Sequence, residues 1–254
     1  MNFIFLLSVC CFIGSLSLRL LDPVVPEVAR DLGTTPEAVA LLSTAFLLSY
    51  AIAQPFVGSI ADAWGKVRVI KICSAAMAVM LVVMAVAPNI EVLYAARIMG
   101  GVFGGGVFTV ALAIVGDRVP VEQRQVALSN LIMASQSAQL FGIIACGLVA
   151  SMFGWRVAVG VAAMAATIAG LLLERNLKPR PDAVRYPFNL ARVRDSMLVL
   201  FRMPRTATCY TGVLFDGMCV TGSLPFIAVL LEQRGQGGLR EASFVINNWI
   251  FMAL

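Results

Sequence analysis

Apolar runs of about 20 residues recur along this chain, and its charged residues collect in the short gaps between them. That is the length a helix needs to cross a hydrocarbon core of about 30 Å. No other feature restricts the fold as strongly. Lipid offers no partner to a free backbone N–H or C=O, so only helices and closed barrels can cross it. A barrel needs shorter segments of alternating polarity, whereas these runs are apolar all round. The composition agrees: 60% of the 254 residues are hydrophobic and 13% are charged, against roughly 25% charged in a soluble domain. The expected fold class is all-α integral membrane.

Seven complete spans are expected, at 3–22, 38–61, 69–87, 91–116, 126–152, 156–174 and 207–231, followed by an apolar start at 242 that runs to Leu254. The first run lacks a basic leading segment and a small-residue cleavage site before Arg19, so it reads as a retained helix rather than a signal peptide. Thirteen of the 19 basic residues fall on one side of the membrane under this reading. They are Lys66, Arg68 and Lys71, then Arg118 and Arg124, then eight between Arg175 and Arg205. Cytoplasmic loops carry such an excess, which places the N-terminus in the cytoplasm. The net charge of +5 then needs no nucleic-acid partner, because loops facing anionic lipid account for it.

The long polar connection after the sixth span divides the chain. Residues 1–175 are expected to form a six-helix bundle, 176–205 a basic cytoplasmic connection, and 206–254 the start of a second bundle. An amphipathic run at 189–201 sets Arg192 and Arg194 beside Val193 and Leu198, the pattern of an interfacial helix. Cys10, Cys11, Cys73, Cys146, Cys209 and Cys219 all lie in apolar runs, with no C-x-x-C and no histidine in the chain. They read as small packing residues, and neither a metal site nor a cofactor is expected.

Three short segments carry more information. Between spans 2 and 3 the chain reads Gly58-Ser-Ile-Ala-Asp62-Ala-Trp-Gly65-Lys66-Val-Arg68. Gly58 would permit close helix approach, and Gly65 a positive φ that reverses the chain. Span 4 contains Arg97-Ile-Met-Gly-Gly101-Val-Phe-Gly104-Gly-Gly and is followed by Asp117 and Arg124. Span 5 holds Gly142-Ile-Ile-Ala-Cys-Gly147 and closes on Gly154-Trp155-Arg156. The first segment resembles the loop signature G-x-L-A-D-R-x-G-R-K of the major facilitator superfamily, with Ala63 in place of the usual arginine. The second resembles that family's R-x-x-Q-G-x-G-A-A, with Gly100 where glutamine is usual. The third keeps two glycines of the efflux motif G-P-x-x-G-G and lacks its proline. Arg19-Leu-Leu-Asp22-Pro-Val-Val-Pro26 is similar to the arabinose-efflux-permease-like branch.

The resemblance implies two inverted three-helix repeats in the six-helix bundle, with one complete and one incomplete helix of a second bundle beyond it. It implies a salt-bridge cluster joining Asp117 and Arg124 to the 2–3 turn and locking one conformational state. It implies helix packing through Gly101, Gly104, Gly142 and Gly147. Helices 1, 4 and 7 line the central cavity in the family, which would bring Arg19, Asp22 and Arg97 into one network. A charge at the centre of a membrane helix costs about 2.5–3.5 kcal/mol on insertion scales and is functional by default. Snorkelling of Arg97, or Asp22 merely ending span 1, are the structural alternatives. Asp216 in span 7 is the candidate proton carrier, with a helix-packing hydrogen bond as its other role. The implied function is secondary transport in the bacterial inner membrane, by proton-coupled export of a small organic solute. The sequence has no G-x-x-x-x-G-K-[ST] loop for ATP, and enzymatic chemistry is not expected. The alternative is a truncated, non-transporting remnant that lacks a C-terminal half.

Overall fold

The computed structural model describes residues 3–179 throughout, then 203–216 and a few isolated positions. Every regular element among the described residues is a helix. Span 1 is built in two pieces, α1 (Phe3–Arg19) and α2 (Val25–Asp31), joined through a 3-10 turn at Asp22–Val24. Then follow α3 (Pro36–Trp64), α4 (Lys66–Ala85), α5 (Ile90–Arg118), α6 (Val121–Phe153) and α7 (Trp155–Asn176), which are spans 2 to 6. A shorter helix, α8 (Pro204–Asp216), lies beyond the connection. The expected interfacial helix at 189–201, the end of span 7 and the eighth apolar run lie outside the described residues.

The first span continues past its expected end at 22 and reaches Asp31. Pro23 and Pro26 explain the break and the continuation. Each lacks an N–H and sits in the first turn of the element it opens, where that donor has no helical partner to lose. Thr35 and Asn89 start α3 and α5 by accepting the N–H of Ala38 (3.3 Å) and Val92 (3.0 Å), the usual satisfaction of a helix's first donors. Gly65 and Gly154 end α3 and α6 at φ +98° and +87°. Both turns need backbone that only glycine adopts cheaply.

Two apolar clusters fill the bundle, one near each end. The first joins the start of α1 (Leu6, Leu7) to the start of α4 (Val67, Ile70) and the end of α5 (Ile114, Val115). The second joins α2 (Val25, Val28) to the end of α4 (Leu81, Met84) and the start of α7 (Trp155, Ala158). The N-terminus therefore lies at the end that carries Lys66 and Asp117, and Asp31 and Arg156 lie at the opposite end. Leu48, Ile52, Met133, Phe141 and Leu171 are exposed on the outside of the bundle, as expected where the solvent is lipid.

The helix pairing is reciprocal. Span 2 packs most extensively on span 4, and span 5 on span 1; span 3 packs on span 4, and span 6 on span 1; spans 3 and 6 pack on each other. Exchanging spans 1–3 with 4–6 turns each of the first four pairs into another and the 3–6 pair into itself, as two inverted three-helix repeats require.

Candidate functional site

Four buried polar side chains from three spans meet where span 1 breaks. Arg19 ends α1, and Asp22 opens the 3-10 turn three residues later. That spacing lets Arg19 Nη1 reach Asp22 Oδ2 at 3.3 Å. Ser43 of α3 donates to the other carboxylate oxygen at 2.7 Å. Arg97 of α5, fully buried, donates through Nη1 to the Ser17 carbonyl at 2.8 Å. Its guanidinium also lies 5.2 Å from the centroid of the Phe46 ring, where the negative face of the ring attracts a cation. Cys146 of α6 closes the far side, its thiol donating to the Leu20 carbonyl at 2.9 Å.

The three charges expected in one network thus share one neighbourhood, but they are not mutually bonded. Arg19 holds Asp22, while Arg97 grips the preceding turn through its backbone. Nε and Nη2 of Arg97 have no partner among the described residues. Two buried donors on a cation are an expensive arrangement to leave unused, and they can serve an acceptor that arrives. Ser43 and Ser17 were not singled out from the sequence. Serines in apolar helices carry no distinguishing pattern, and only the rotation of α3 against α1 aims Ser43 at Asp22. Asp216 is the last described residue of α8, and its surroundings lie outside the described residues.

A second group of charges stands at the end of the bundle near the N-terminus. Lys66 Nζ lies 2.6 Å from Asp117 Oδ2 and 3.5 Å from Asp62 Oδ1, so the 2–3 turn is tied to the end of span 4. Lys71 and Glu174 join α4 to α7 nearby at 3.2 Å. Arg124 departs from its expected place. Its Nη2 donates to the Val119 carbonyl at 3.4 Å, just ahead of the helix it sits in, rather than joining Lys66 and Asp117. Arg68 is exposed and takes no part in the cluster.

The glycines divide unexpectedly. A Cβ on Gly101 would collide with the Phe46 carbonyl and the Ser49 hydroxyl of α3. On Gly105 it would come within 2.9 Å of the Tyr50 carbonyl, and on Gly106 within 2.6 Å of Cys73 Sγ. Spans 2 and 4 therefore cross backbone to backbone through a G-x-x-x-G pair, Gly101 and Gly105. Gly104 makes ordinary contact with Phe46 at 3.4 Å, and Gly142 faces Leu16 at 3.1 Å. Gly147 is buried in α6. Gly58 makes no close helix approach among the described residues, where a Cβ on it meets nothing within 4 Å.

Comparison with known proteins agrees with this architecture. The family model described as Major Facilitator Superfamily matches residues 7–254. The chain is 25% identical over 234 residues to the uncharacterized MFS-type transporter YybF of Bacillus subtilis (strain 168), covering 92% of this chain and 57% of that protein. It is 36% identical over 121 residues to the quinolone resistance protein NorA of Staphylococcus aureus, covering 48% of this chain and 31% of that protein. The chain thus spans little more than half the length of the first relative and less of the second. Among solved structures, a bacterial homolog of the human lysosomal transporter Spinster, in an inward-facing and unoccupied conformation, aligns with a TM-score of 0.78 at 18% identity. That alignment covers 98% of this chain and 58% of the other. A D-xylose-proton symporter aligns with a TM-score of 0.71 at 12% identity, covering 99% and 65%.

Proposed function

The chain belongs to the major facilitator superfamily, and from that premise we propose that the whole protein exports a small organic solute by exchange with protons. Membership makes it a multi-pass membrane protein of a transporter family rather than an enzyme. The finer reading rests on one observation above the others: Asp22 and Arg97 are both fully buried within the bundle, and Arg97 keeps two unpaired donors beside span 1. A buried intramembrane carboxylate near a buried cation with open donors is the kind of group that marks proton relays and substrate pathways. A membrane potential of about 100 mV supplies about 2.3 kcal/mol per charge moved, enough for roughly a 50-fold gradient with no nucleotide. The likeness to a quinolone resistance protein supports outward transport.

In this reading residues 1–175 form the first bundle, 176–205 a cytoplasmic connection and 206–254 the start of the second bundle, with the N-terminus in the cytoplasm of a bacterial inner membrane. Lys66, Asp62 and Asp117 then stand at the cytoplasmic surface as the conformational latch. Asp31 and Arg156 stand at the outer one. Asp216, in span 7, is the second proton-carrying group of this proposal.

Proton-driven uptake into inverted vesicles tests this on the whole protein. Asp22→Asn and Arg97→Ala should each abolish the proton-dependent component while leaving membrane abundance intact. Asp216→Asn should do the same through the second group. Unaltered transport in the Asp22 and Arg97 variants would overturn the coupling assigned to this pair.

A further inference from the structure

The turn between spans 5 and 6 is fastened to α2 at two points on one helix face. Glu27 and Asp31 are four residues apart, so they project from the same side of α2. The backbone N–H of Trp155 donates to Glu27 Oε1 at 3.1 Å. Its indole N–H donates to Asp31 Oδ2 at 3.1 Å. Arg156 reaches the same oxygen through Nε at 3.1 Å and Nη2 at 3.0 Å, and its Nη1 donates to the Ala87 carbonyl at 2.7 Å. The guanidinium also stacks 4.6 Å from the Trp155 ring centroid, and Trp155 itself is 2% exposed. Two anchor points fix both the rotation and the height of a helix, where one would fix neither.

The helix held in this way is seven residues long and begins three residues after Asp22. Between them lies only the 3-10 turn, whose Val24 N–H bonds to the Leu21 carbonyl at 3.1 Å. A rotation of α2 therefore passes directly into the turn that aims Asp22 at Ser43 and Arg19. Cys146 grips the same turn from span 5 through Leu20.

We propose that Trp155 and Arg156 are positioning residues for Asp22, acting through α2. The clasp holds the broken end of span 1 in one orientation and links the loop at that surface to the buried charges. Its importance for transport rests on the role given to Asp22 above, but the mechanical link does not.

Cys146 is a native reporter of that link. The probe is N-ethylmaleimide added to the full protein in membranes, with modification of each cysteine followed by peptide mass spectrometry. Cys146 should label about tenfold faster in Trp155→Phe/Arg156→Ala than in the parent, the mark of about 1.4 kcal/mol less local closure. Cys10, Cys11 and Cys73, which lie in the other apolar cluster, should keep their parental rates. Arg156→Lys alone, which keeps a cation for Asp31, should keep Cys146 protected. Continued protection of Cys146 in the double variant would overturn the proposal. So would equal acceleration of Cys146, Cys10, Cys11 and Cys73, which means general loosening. The pH profile of transport should shift in the double variant and keep its parental form in Arg156→Lys. Selective opening of Cys146 with an unmoved profile would leave the clasp standing and remove the proton role of Asp22.

Discussion

The two repeats reverse direction in the same way and fasten the reversal differently. Gly65 turns span 2 into span 3, and Gly154 turns span 5 into span 6, both with positive φ and at opposite ends of the bundle. After Gly65 comes a lysine, a single point charge held between two carboxylates that are about half exposed. After Gly154 comes a buried tryptophan with an arginine stacked on it, bonded to two carboxylates and a carbonyl. An exposed lysine pair is weak, worth about 0.2–1 kcal/mol, and is easily screened. The Arg156–Asp31 pair is comparably exposed, so the difference lies in geometry: a planar fork stacked on a buried ring is pre-organised. The same backbone device is thus followed by a point charge between two carboxylates at one end and by a stacked, multiply bonded arginine at the other.

That contrast can be broken in several ways. The largest effect is expected at the turns themselves. Gly154 has φ +87° and ψ +158°, a region open to glycine alone, and forcing another residue there costs about 1–3 kcal/mol. SDS-induced unfolding in mixed micelles should show Gly154→Ala losing more stability than Gly65→Ala, because the first also disturbs the bonds of Trp155 and Arg156. Equal losses would erase the distinction between the two ends. A smaller effect separates the charges. Lys66→Ala should cost no more than about 1 kcal/mol, and that cost should vanish near 1 M salt, where the screening length is about 3 Å. If the loss persists in high salt, the latch is not a simple exposed pair. The smallest effect belongs to Gly58→Ala, which should be neutral or stabilising by up to about 1 kcal/mol. A clear loss there would point to a close approach beyond the described residues.

Much of this was legible in the sequence, for local reasons. The six bundle spans follow from hydrophobic length, and the turn at Gly65 from a glycine followed by a basic residue between two apolar runs. Lys66 and Asp117 were marked by their place in a familiar pattern, and they meet. Other features were not legible because they depend on the rotation of one helix against another. Gly58, Gly101, Gly104 and Gly105 look alike on paper, yet Gly101 and Gly105 touch the α3 backbone and Gly58 touches no other helix among the described residues. Ser43 is one of several serines in apolar helices. Trp155 and Arg156 read as the end of a motif, and nothing in their spacing points to Glu27, 128 residues away.

The sequence alone therefore determined that this chain enters a membrane as helices, that six such spans come first, and which residues carry charge into them. These are questions of length and of unpaired backbone groups, and each segment answers them by itself. Only the tertiary structure decided that span 1 continues through its prolines to Asp31, that Arg97 grips the Ser17 carbonyl rather than Asp22, and that α2 is clasped from span 6. Those outcomes depend on register and rotation between helices far apart in the chain, and close packing settles them jointly.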